Sequence, residues 1–252
     1  MKRLVLTLIA LSVFALQPGT LRAQTLHALL FVNEKEKGRE TDRTENMRSM
    51  INFWQEIAGA IGYDYECSRN SDTDFTAARV KDAISALRVG RDDIVVFYYS
   101  GHGYNDNTNV WPTLSLNDEN FRAIDVLKLL KRVNTPAKLT LCIADCCNKV
   151  YSSDNVNVTY ATNESAIRKL FTNFNGKKTV MASSSKQGQL SWSNSVYGAY
   201  FGIAFRNAVS NTGYDEAEWD AVMENAKRLT MKYTKGQQEP QYSVTQTSDP
   251  FE

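Results

Sequence analysis

The chain has 252 residues, 42% of them hydrophobic and 23% charged, with five prolines. That length suits one α/β domain or two small ones and can bury a sizeable core, and this balance excludes disordered and fibrous classes. The formal charge of +1 comes with no basic stripe, which argues against a nucleic-acid partner.

Lys2 and Arg3 precede an apolar stretch, Leu4 to Leu16, that closes on small and polar residues with Ala23 at a cleavage point. This is the layout of a secretory signal peptide over residues 1–23, so the protein is expected to be exported, to the periplasm or the medium. The apolar stretch is short for a membrane span. A retained anchor is the alternative, and the mature chain is expected to be free of the membrane. Cleavage removes Lys2, Arg3 and Arg22 and turns the net charge from +1 to −2.

Residues 25–33 read as a buried strand. Residues 44–62 read as an amphipathic helix capped by Thr44, with Met47, Met50, Ile51, Trp54, Ile57 and Ala58 on one face. A short strand (63–67), a helix (74–89) and a continuous apolar strand (92–99) follow. Then come a helix (121–133) that ends before Pro136 and a second fully apolar strand (138–144). Residues 149–178 are polar, with a weak helical patch near Glu164–Phe171, and read as a connection. A strand (178–185), a buried helix (196–209) and an amphipathic helix (216–234) complete the chain, and its last residues are polar and extended. Strands apolar on both faces, alternating with helices at short spacing, predict a mostly parallel central β-sheet with helices on both faces.

Ligands of open α/β sheets bind at the carboxyl ends of the strands. Two such ends carry reactive groups. The strand 92–99 runs into YSGHGY and the strand 138–144 into DCC. The chain has two histidines. His27 lies early in the first strand and reads as packed, which leaves His102, between two glycines, as the candidate base. Glycine there allows a sharp turn and close approach of a ligand to the backbone, where the Gly103 N–H can donate to a developing oxyanion.

Of the four cysteines, Cys142 and Cys67 read as buried apolar residues, the common state of a free cysteine. Side chains alternate along a strand, so Cys146 and Cys147 point to different sides. Cys147, past the strand end and near His102, suits a thiol ionised by an imidazole. Three cysteines within six residues form no disulfide framework, and no CxxC pair or His/Cys cluster suggests zinc.

Ser100-Gly101-His102-Gly103 followed by Asp145-Cys146-Cys147, with His102 and Cys147 45 residues apart, resembles the caspase-like cysteine peptidases, and most of all the bacterial metacaspase-like proteins. The resemblance spans about residues 25–235. It implies a caspase-like fold with a large portion (24–148), a connecting segment (149–178) open to self-processing at Lys149, Arg168, Lys169, Lys177 or Lys178, and a small portion (179–252). It implies peptide or protein substrates and a monomer. Cys147 corresponds to the nucleophile and His102 to the proton-transfer partner. The N–H groups of Gly103 and Cys147 correspond to the oxyanion donors. Asp145 and Ser100 correspond to the pocket for an Arg or Lys at P1, the substrate residue before the cut.

Three departures qualify the resemblance. Asn148-Lys149-Val150 stands where the family often has His-Ser-Gly. Asn46-Met47 stands where it often has Asn-Asp, with Asp42 and Glu45 as nearby substitutes for the acid. No cofactor is expected; no acidic cluster suited to calcium is visible, and calcium dependence is left open. A catalytically inactive caspase-like binding module and another thiol hydrolase on the same scaffold are the competing readings; Asp145 as a turn cap is the structural alternative to its pocket role.

Overall fold

In chain order the elements are β1 (Thr25–Val32), α1 (Glu40–Ile61), β2 (Asp64–Asn70), α2 (Ala77–Ala86), β3 (Ile94–Gly101), β4 (Gly103–Tyr104), β5 (Thr113–Ser115), β6 (Asn120–Arg122), α3 (Ala123–Val133), β7 (Leu139–Cys146), α4 (Glu164–Thr172), β8 (Lys177–Ser183), β9 (Ser193–Asn194), β10 (Gly198–Ala199), α5 (Tyr200–Ser210), α6 (Trp219–Tyr233) and β11 (Gln241–Thr247). They belong to a computed structural model that describes residues 23–35, 37–38, 40–134, 136–147, 162–194 and 197–248. Residues 1–22, which hold most of the expected signal peptide, lie outside the described residues.

The central sheet has six strands in the order β11-β8-β7-β3-β1-β2. All neighbours pair parallel except β11, which runs antiparallel along the edge of β8. The strands β1, β3 and β7 are buried along their whole length, as a parallel sheet covered on both faces requires. Their side chains sort by the period of two. Leu26, Ala28, Leu30, Val96, Tyr98, Leu141 and Ile143 join α1, α4, α5 and α6 in one core. Leu29, Phe31, Val95, Phe97, Tyr99, Cys142 and Cys146 join α2 and α3 in the other.

Several boundaries differ from the sequence expectation. Helix α1 begins at Glu40 rather than after Thr44, which is therefore inside the helix and not its cap; Glu40 and Asp42 put carboxylates in the first turn, where the helix dipole favours them. A 3-10 turn, Asp72–Asp74, takes the start of the expected helix 74–89, and Thr76 caps α2 by accepting from the Arg79 N–H. Cys67, expected to be buried, is exposed, because β2 is an edge strand whose side chains mostly face solvent. The short strands β4, β5 and β6 form a separate small sheet after His102, and β9 with β10 a small hairpin; two or three residues are too few to show a period. Both β3 and β7 run two residues beyond the apolar stretches, through Gly101 and Cys146.

Residues 148–161, which include Lys149, lie outside the described residues. Of the other basic residues considered for self-processing, Arg168 and Lys169 belong to α4, and Lys177 and Lys178 to β8. Arg168 donates to the Ile61 carbonyl at 2.7 Å and Lys178 to Glu218 at 3.0 Å.

Candidate active site

The pairing of β3 with β7 brings the two reactive strand ends together. In that register Ser100 faces Asp145 and Gly101 faces Cys146. The next step along both strands carries His102 and Cys147 out beyond the carboxyl edge of the sheet, on neighbouring strands about 4.8 Å apart. Alternation then assigns the faces. Tyr98 and Ser100 belong to the α1/α5 side, as do Ile143 and Asp145.

The adjacent cysteines differ in their surroundings. Cys146 is buried in the α2/α3 core, and burial first, then the charges of Cys147 and Asp145, push its thiol well up. That thiol stays protonated at neutral pH and is shielded from any peptide. Cys147 is half-buried, and its Sγ lies 3.4 Å from the Ser191 carbonyl oxygen. His102 is exposed.

The glycine after the histidine is required by packing. A Cβ on Gly103 would stand 2.5 Å from Cys146 Sγ, 2.8 Å from the Cys147 carbonyl oxygen and 2.9 Å from Cys146 Cβ. Only a residue without a side chain lets the histidine loop lie this close to the cysteine loop. The Ser115 N–H donates to the His102 carbonyl at 3.0 Å, with Gly103 opposite Leu114 in the β4–β5 pair. Backbone groups of successive strand residues alternate in direction, so the Gly103 N–H turns to the side away from β5.

The peptide bond before Cys147 is held from the other side. Its carbonyl, on Cys146, accepts from Ser184 Oγ at 2.9 Å and from Ser185 Oγ at 3.4 Å. In a planar trans peptide the C=O and N–H point in opposite directions, so these two hydroxyls aim the Cys147 N–H. Gln238, fully buried, ties the surroundings together. Its Nε2 donates to the Ser184 carbonyl at 2.9 Å, and its Oε1 accepts from the Trp192 N–H at 2.8 Å.

Beneath this edge lies a polar cluster. Ser100 Oγ accepts from Asn46 Nδ2 and from the Arg43 guanidinium, each at 2.8 Å. Asp145 Oδ2 accepts from the Tyr98 hydroxyl and from the Gly202 N–H in the first turn of α5, each at 3.0 Å, and Oδ1 accepts from Ser191 Oγ at 3.4 Å. Asp145 thus lies inside β7 and caps a helix across the sheet, not the turn after its own strand. Burial pushes its carboxyl up, against the Tyr98 hydroxyl, the Arg43 charge and the Gly202 and Ser191 donors, which pull it down. Gly202 packs closely there, since a Cβ would lie 3.0 Å from Asp145 Oδ2.

Of the acids near the departure from the family pattern, Asp42 is buried and accepts from Ser193 Oγ at 2.8 Å, in β9. Glu45 instead pairs with Arg48 and Ser49 along its own helix. Met47 packs in the core. The sequence reading missed Arg43, Ser191, Ser184 and Gln238. A signal for Arg43 existed: it precedes Met47 and Met50 at helical spacing, on the inner face of α1. His27 is buried between Asp93 Oδ2 at 3.2 Å and Glu66 Oε2 at 2.9 Å, far from this edge along β1. Among the described residues no group of three His, Cys, Asp or Glu side chains is placed to hold a metal ion, and no helix is long and apolar enough to cross a membrane.

The model of the caspase domain of the C14 peptidases matches residues 25–252. The chain belongs to the caspase-domain family. That family is one of cysteine peptidases, so its substrates are proteins or peptides. No curated protein matches the chain. Among solved structures, protein GSU0716 from Geobacter sulfurreducens is similar in fold, with a TM-score of 0.52 at 19% identity, over 90% of this chain and 96% of that one. The caspase-domain assignment agrees with the mostly parallel central sheet and its two helical layers.

Proposed function

We propose that this caspase-domain protein is an exported cysteine endopeptidase of the metacaspase type, working as a monomer, in which Cys147 is the nucleophile and His102 moves the proton. The observation that carries the reading is the register of β3 with β7, one step short of His102 and Cys147. Its chemistry needs no cofactor. The Cys147 thiolate attacks the scissile carbonyl carbon and a C–S bond forms. The oxyanion accepts from the N–H groups of Gly103 and Cys147. The C–N bond breaks as His102 gives its proton to the leaving amine. Water, losing a proton to His102, then cleaves the thioester and frees Cys147.

Asp145 and Ser100 supply a pocket for a basic P1 side chain, since a buried carboxylate makes strong, charge-assisted hydrogen bonds to a guanidinium. Asp42, buried beside Ser193, adds a second acid near it. The test is cleavage of fluorogenic peptides with Arg, Lys or Asp at P1 by the mature chain, by Cys147→Ala and by Cys146→Ala. Cleavage after Arg or Lys, lost only in Cys147→Ala, is the expected result. No cleavage of any peptide, with no fast-alkylating thiol, would turn the assignment to an inactive binding module.

A further inference from the structure

One of the two residues assigned above to a basic P1 side chain is already hydrogen-bonded to a guanidinium. Arg43, in the first turn of α1, donates from its guanidinium to Ser100 Oγ at 2.8 Å, and its charge acts on the Asp145 carboxylate. Ser100 and Asp145 are paired neighbours on β3 and β7, so the guanidinium bound to Ser100 lies beside the residue that carries the carboxylate. Exposure falls from 7% at Arg43 to 1% at Asp145 and 0% at Ser100. All three are buried; Ser100 and Asp145, on the sheet, form the floor, and Arg43 reaches it from α1.

We propose that Arg43 occupies the P1 pocket of its own chain, a built-in guanidinium that the basic side chain of a substrate has to displace. The inference rests on the peptidase reading only for its kinetic consequence; the occupancy itself is a binding statement. Two features support it. The first is chemical identity: Ser100 and Asp145 are the residues to which a substrate arginine would bind, and the Ser100 hydroxyl already takes a guanidinium, that of Arg43. The second is that the displacement is small in covalent terms. Arginine carries its charged end on a long flexible stem, so rotation of that stem toward solvent empties the floor while the helix stays in place. Asn46 keeps its own hydrogen bonds to Ser100 and to the Tyr98 hydroxyl, at 2.8 and 2.9 Å, and so holds the floor in shape.

Arg43→Gln removes the charge and shortens the side chain. The experiment compares the full mature chain with this variant by two readouts. One is kcat/KM on peptides with Arg, Lys and Ala at P1. The other is the shift in melting temperature produced by benzamidine, a soluble mimic of the arginine end group. Expected is a rise of about tenfold in kcat/KM for Arg at P1, carried by KM, with little change for Ala. Benzamidine should give a saturable rise in melting temperature in Arg43→Gln that is much smaller in the parent and absent in Arg43→Gln combined with Asp145→Asn. Arg43→Lys keeps a positive charge near Asp145 but cannot reproduce the planar fork; it serves the same comparison if Arg43→Gln fails to fold, with a smaller gain expected. A folded Arg43 variant that binds benzamidine no better than the parent overturns the proposal, whatever its activity. A variant that binds benzamidine while no version cleaves any peptide leaves the occupancy standing and removes the peptidase reading.

Discussion

Replacing Gly103 by alanine tests the approach of the two reactive loops. The added Cβ would lie 2.5 Å from Cys146 Sγ, 2.8 Å from the Cys147 carbonyl oxygen and 2.9 Å from Cys146 Cβ. Non-bonded carbon contacts sit at about 3.5–4.0 Å, so the histidine loop has to withdraw by on the order of 1 Å. All three obstacles are backbone or core atoms, which limits relaxation. Overpacking of this kind costs about 1–3 kcal/mol of stability, and a misplacement near 1 Å costs on the order of 100-fold in rate. Both quantities are measurable, the first by urea unfolding and the second as kcat/KM on the best peptide, with the alkylation rate of Cys147 as a readout independent of substrate. Cys146→Gly deletes Sγ and Cβ, two of the three obstacles, so the double variant should recover part of both losses despite the cavity that Cys146→Gly opens alone. Full activity and unchanged stability in Gly103→Ala, or no recovery in the double variant, would refute the reasoning.

Cys147→Ala is expected to abolish peptidase activity, whereas Cys146→Ala keeps it at a cost of about 1 kcal/mol for one lost buried group; because Cys67 is exposed, the alkylation comparison is made in a Cys67→Ser background, where one fast thiol should remain and vanish with Cys147. Ser184→Ala removes the 2.9 Å hydroxyl contact that aims the Cys147 N–H, and a drop of about tenfold in kcat with KM nearly unchanged is expected for a weakened oxyanion donor; an equal rise in KM would point to a merely structural role. Asp93 anchors the other end of the sheet: burial raises its carboxyl, but the Gly90 and Thr25 N–H groups and His27 outweigh that and hold it below its ordinary 3.8. A carboxyl depressed by folding contributes stability above the unfolded value and loses it as pH falls through the folded one, so Asp93→Asn should destabilise by about 2 kcal/mol at neutral pH. The gap between the two unfolding curves should close only below pH 3.8, and a gap that persisted at lower pH would contradict this account.

The central sheet was legible because its strands are apolar on both faces and long enough to stand out, and the helices were legible by their stripes. The position of the reactive edge followed from strand ends that run into SGHG and DCC. The choice between Cys146 and Cys147 rests on position past the strand end and on the D-x-C pattern of the family, and alternation along β7 is what sends Cys146 into the α2/α3 core. Less was legible where contacts join distant segments. Asp145 takes its partners from α5 and from the segment before β9, and no local pattern announces a helix that will be capped from across the sheet. Gln238 is fully buried yet polar, a combination that sequence alone assigns to the surface. Thr44 was read as a cap because threonine suits one, but the preceding Asp42 and Arg43 turn inward and the helix begins earlier.

Pairing β3 with β7 in parallel makes the reactive edge a matter of counting. Deleting one residue inside either strand would draw its end back by about 3.3 Å and turn the last side chain to the opposite face of the sheet. Two deletions, one in each strand, would bring the two groups to a common face again, but the opposite one, and sink both below the rim. Length changes in residues 105–112, between β4 and β5, carry no such penalty, because nothing there sets the step at which His102 and Cys147 leave the sheet. Descendants of this chain are therefore free to lengthen that rim, and with it the reach toward extended substrates, while the eight-residue lengths of Ile94–Gly101 and Leu139–Cys146 stay fixed.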